Sequence, residues 1–83
     1  MSTRVARWIR GYERVGDALA VEYPLPEQWD LRALQLLFEL PADNPLIDSF
    51  PIGPQQAAAL SVGVEGAIDV RVYDFFLEAE SEE

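Results

Sequence analysis

Leu19, Val21, Tyr23 and Leu25 alternate with Ala18, Ala20, Glu22 and Pro24, the two-residue period of a half-buried β-strand. Upstream, Val5, Trp8, Ile9 and Tyr12 are interleaved with arginines, which makes residues 4–12 a second strand-like stretch. Between them, Glu13-Arg14-Val15-Gly16-Asp17 has the length of a hairpin connection, and Gly16 supplies the positive φ of a turn ending in a glycine bulge. The two segments are expected to pair antiparallel. Pro24 and Pro26 then end the ladder, because proline donates no backbone hydrogen bond.

The period changes after Asp30. Leu31, Leu34, Leu37, Phe38 and Leu40 form an apolar stripe at helical spacing, which predicts a helix near 30–40 with Asp30 as N-cap, unless the helix already begins at Pro26, and Pro41 just past its end. Prolines 41, 45 and 51, with Asp43, Asn44 and Asp48 among them, argue for a surface connection held down by Leu46, Ile47 and Phe50. Gly53 as cap and Pro54 at the first helical position open a second helix near 54–62, with Gly63 as its stop. Ile68, Val70 and Val72 alternate with Asp69, Arg71 and Tyr73, so a third strand is expected near 68–78. The order β-β-α-α-β predicts an α+β fold, a small three-stranded antiparallel sheet packed by two helices. Residues 1–83 read as one domain, with 79–83 an acidic tail.

Composition narrows the chemistry. The chain has no histidine and no cysteine, and all six of its basic residues are arginine, so it lacks the side chains most used for proton transfer near neutral pH, thiolate attack and transition-metal ligation. No catalytic residue, cofactor or metal is expected. A carboxylate pair is the remaining acid/base device, Asp69 with Asp74 or Asp43 with Asp48, but a chain this short has little room for a core and a deep cleft, which leaves a hydrolase a distant reading. The run Asp43 to Asp48 lacks the alternating ligands and central glycine of a calcium loop, and Gly63-Val64-Glu65-Gly66 places an acid where a phosphate would lie.

Charge sets the class of partner. The formal net charge is -9, divided between residues 1–16, where four arginines face one glutamate, and residues 17–83, where fourteen acids face two arginines. Such a field repels nucleic acid and anionic lipid and favours a basic protein surface. Arg4, Arg7 and Arg10 are interleaved with Trp8, and the adjoining strand offers acids such as Glu22 to pair with them. With no signal-peptide pattern and no apolar run of membrane-spanning length, a cytoplasmic protein is expected.

The segments Glu22-Tyr23-Pro24-Leu25-Pro26, Leu34 to Pro41, Asp48 to Ile52, Gln56 to Leu60 and Tyr73 to Ala79 together give a chain that resembles a family of small acidic bacterial proteins of uncharacterised function. Its size and charge are also similar to those of immunity proteins, which protect bacteria from their own toxins. What the resemblance implies is an acidic binding module, an inhibitor covering the basic active-site surface of a cognate toxin, with a nuclease the first guess. The residues expected to meet the partner are Asp43 and Asp48 in the loop, and Asp69, Tyr73, Asp74 and Glu78 along the last strand. The alternative is a homodimeric structural or regulatory module, for which the proline- and glycine-rich connections allow exchange of the last strand between copies.

Overall fold

The computed structural model describes residues 4–64, 66 and 68–82, with the side chains of Arg4, Ser81 and Glu82 outside the description. Strands β1 (Arg4–Tyr12) and β2 (Leu19–Pro24) form the expected hairpin, with Ile9 opposite Tyr23 and Arg10 opposite Glu22. Its loop closes through the Glu13 amide, which donates to the Ala18 carbonyl at 2.8 Å, and the chain turns back at Gly16 and Asp17, both at positive φ. The register slips between the pairs Gly11–Val21 and Tyr12–Leu19, so the bulge leaves Ala20 of β2 unpaired, in the strand after the turn, instead of falling at Gly16.

Helix α1 (Leu31–Leu37) starts where Asp30 accepts the Ala33 amide, as the capping pattern predicts. It stops short of Pro41. Glu39 takes a left-handed φ of 56°, and the Leu40 amide reaches back to the Gln35 carbonyl, a closing geometry that satisfies the last free carbonyls. Helix α2 (Pro54–Leu60) has Gly53 as its cap, and the Gln56 side chain accepts the Gly53 amide at 3.1 Å. The loop between the helices is ordered by polar contacts from below. Gln35 is buried and donates to the carbonyls of Ala42 and Asn44, while Asn44 accepts the Leu46 amide, so that Leu46 drops into the core.

The sheet has four strands and not three, in the order β2-β1-β4-β3, all antiparallel. The extra strand, β3 (Phe50–Pro51), is two residues long and sits between prolines and turn residues, too short for any periodicity to reveal. The last strand is also displaced. β4 (Asp74–Glu82) begins six residues later than the expected 68, because Asp69 folds the chain into a turn: its carboxylate accepts the Arg71 amide, and its carbonyl accepts the Val72 and Tyr73 amides. Ile68 enters the core from that turn, and Val72 is left exposed. Ala79 to Glu82, read as tail, continue β4 and pair with Ala6, Arg7 and their neighbours in β1. Glu83 and the side chain of Glu82 lie outside the described residues.

One face of the sheet carries the core. Ile9, Phe75 and Leu77 from β1 and β4 pack with Leu34 of α1, Ala57 and Leu60 of α2, and Leu46, Ile52 and Ile68 from the connections. No layer of helix covers the other face among the described residues.

Candidate functional site

Successive residues of a strand point to opposite faces, so burial of Ile9, Phe75 and Leu77 sends Trp8, Arg10 and Tyr12 of β1 and Phe76, Glu78 and Glu80 of β4 to the uncovered side. Glu22 joins them through its pairing with Arg10. Arg10 is the centre of this face. Its guanidinium donates to Glu22 at 3.0 Å, to Glu78 at 3.4 Å and to Glu80, and lies 5.5 Å from the centre of the Trp8 ring. The Tyr12 hydroxyl donates to Glu78 at 2.5 Å, and Ser49, at the entry to β3, donates to the second oxygen of the same carboxylate at 3.2 Å. Tyr12 and Phe76 meet edge to face with centres 5.9 Å apart.

The electrostatics follow from the count of partners. Burial opposes the charge on Arg10 but is outweighed by hydrogen bonds to Glu80, Glu22 and Glu78, which hold its pKa above the ordinary arginine value. The phenol of Tyr12 is also pushed up, first by its hydrogen bond to Glu78, then by burial and the charge of that carboxylate. Three carboxylates share one guanidinium, so the patch keeps excess negative charge. The side chains of Glu22 and Glu80 are 43% and 52% exposed, so their pairing with Arg10 is water-screened and the two acids remain open to a further cation.

The residues expected from the sequence do not form one surface. Asp74 and Glu78 lie on the open face, with Asp74 3.6 Å from Arg14. Tyr73 precedes β4, packs edge to face on Phe75 and belongs with the core side. Asp69 lies in the preceding turn, where hydrogen bonds from the Arg71 side chain and amide lower its pKa; it is ionised near neutral pH, the opposite of a proton donor. Asp43 and Asp48 are exposed in the loop between α1 and β3. Arg7 turns to the core side and donates to the carbonyls of Pro45 and Leu46, pinning that loop to β1. The sequence reading missed Trp8, Tyr12, Phe76 and Glu80 as members of one surface. The signal was present in the even-numbered positions of the first strand, but the partner positions need the register of β4.

Several concavities open on the described residues. One of about 510 Å³ lies between α2 and the turn at Ile68–Arg71. Another, about 410 Å³, lies at the edge of β1 between Trp8 and the segment Pro24–Trp29. The indole N–H groups of Trp8 and Trp29 are both buried with no acceptor among the described residues. No helix among the described residues is long and apolar enough to cross a membrane.

Searches of curated proteins and of solved structures find no significant match. A family model, described as a domain of unknown function, DUF7683, matches residues 6–78, which include every open-face residue named above except Glu80. The chain therefore belongs to the DUF7683 family.

Proposed function

We propose that this protein is a non-catalytic binding module that docks a basic protein surface on the open face of its sheet. The observation that carries the reading is the combination of Trp8, Tyr12 and Phe76 with three carboxylates that share the guanidinium of Arg10, on a face that no helix covers among the described residues. Aromatic rings supply apolar contact area at little entropic cost, and the unbalanced carboxylates draw in and orient a cationic partner. The net charge of -9 adds long-range attraction of the same sign. In its specific form the partner is a bacterial toxin with a basic active-site surface, a nuclease first among them, and this protein is the inhibitor made beside it in the cytoplasm.

The test is capture with the product of the adjacent gene, at low and at raised salt. Association should be fast and salt-sensitive, and slowed by Glu22→Lys, while Trp8→Ala should raise the dissociation rate. A complex that forms equally well with both variants, each shown to be folded, would place the contact elsewhere.

A further inference from the structure

The ladder between β1 and β2 ends at the pair Trp8 and Pro24, whereas β1 continues to Arg4. The Leu25 amide still donates to the Arg7 carbonyl at 3.1 Å, and beyond it Pro26 has no amide to offer. Backbone groups of a strand alternate in direction, so the Arg7 amide and both backbone groups of Val5 face the same edge as that carbonyl. No described residue pairs with them there. β1 and β4 thus project as a two-stranded ribbon whose β1 side is an open edge, beside the 410 Å³ cleft that Val5, Trp8, Leu25, Pro26, Glu27 and Trp29 line.

We propose that this edge, at Val5–Arg7, is a strand-addition site for an extended segment of the basic partner, in which lysine or arginine alternates with apolar residues. The inference rests on the binding-module reading above and names how the partner attaches. Three observations converge on it. The edge offers unpaired donors and an acceptor in strand geometry, which only an extended backbone satisfies along its length. The two tryptophans that line the cleft carry buried indole N–H groups for which the described residues supply no acceptor, donors that a partner's backbone carbonyls could satisfy. The third observation is charge. Ala6 lies on the open face directly opposite Glu80, and its methyl group obstructs nothing. A residue added opposite Ala6 stands two strand spacings, about 10 Å, from Glu80, a gap that an extended basic side chain and a glutamate bridge between them. Residues on either side of it point to the helix side, where Leu25, Pro26 and Trp29 give apolar contact. A second copy of this chain is disfavoured as occupant, since it would bring one net charge of -9 against another.

The test uses a short alternating lysine–valine peptide and its glutamate–valine counterpart, with hydrogen exchange of backbone amides and tryptophan fluorescence as readouts. The lysine–valine peptide should bind, slow exchange at the Val5 and Arg7 amides, and change the tryptophan emission, while the glutamate–valine peptide should do none of these. Val5→Pro removes one edge donor and should weaken binding about five- to tenfold. Ala6→Lys, which keeps the backbone donors and sets a like charge against the peptide, should weaken it too and guards against a folding defect in the proline variant. Binding that leaves Val5 and Arg7 unprotected, or that is unchanged in a folded Ala6→Lys variant, overturns the edge proposal. If protection appears instead around Glu22 and Glu78 and fades with salt, the edge is wrong but the acidic binding face stands. If neither peptide binds, the edge proposal fails, and the adjacent-gene capture alone decides the broader reading.

Discussion

Gly11 marks the tightest approach in the sheet. A Cβ placed there would lie 2.7 Å from the Phe75 ring and 2.9 Å from a Val21 methyl, and Phe75 is too deeply buried to step aside. Gly11→Ala should therefore destabilise the fold by about 1–3 kcal/mol through overpacking, read as a lower midpoint in a urea melt. Tyr12, on the opposite face, reports the carboxylate network. Its folded pKa is raised, so its contribution to stability is fully present below the ordinary tyrosine pKa and is lost as pH rises through the folded value. Absorbance titration of the phenols should show one group ionising above the ordinary range, and that group should be missing from Tyr12→Phe. A titration identical in the two proteins would mean the hydrogen bond to Glu78 does not hold in solution.

At the level of elements, α1 divides its leucines sharply between Leu34, with no exposed surface, and Leu36, 63% exposed. Leu34→Ala should cost about 2–5 kcal/mol. Leu36→Ala should stay within about 0.5 kcal/mol, and paired denaturant melts measure both. This division was legible in the sequence, as were the hairpin, both helix caps and the α+β class, because each is written in local periodicity or in a residue with one preferred backbone role. The last strand was not. The alternation of Ile68, Val70 and Val72 imitates a pleat, while the hydrogen bonds of Asp69 turn the same residues into a loop. Conversely, Glu78, Glu80 and Glu82 look like a solvated tail, yet alternate with Leu77, Ala79 and Ser81 in a true strand whose partner is β1. The open face was hidden for the same reason: its members become neighbours only through a pairing that no local pattern encodes.

For the whole molecule, the surplus of acid predicts what will not bind as firmly as what will. At physiological salt the protein should leave the mobility of duplex DNA and RNA unchanged across micromolar concentrations, since the net surplus of carboxylates repels phosphate. A retarded band would contradict the charge argument and turn attention to the arginines of β1.

The central pair of the sheet joins residues far apart in the chain: Tyr12 and Glu78, hydrogen-bonded across β1 and β4, are 66 positions distant. A ribosome adds roughly 5–20 residues per second, so the hairpin emerges several seconds before the strand that must lie beside it. During that interval Ile9 and Trp8 have neither β4 nor a finished core against them, and pairing across so long a loop is slow compared with helix formation. The nascent hairpin is thus a period of vulnerability built into the topology. Any factor that shields the newborn β1 would raise the yield of folded protein without altering its final stability.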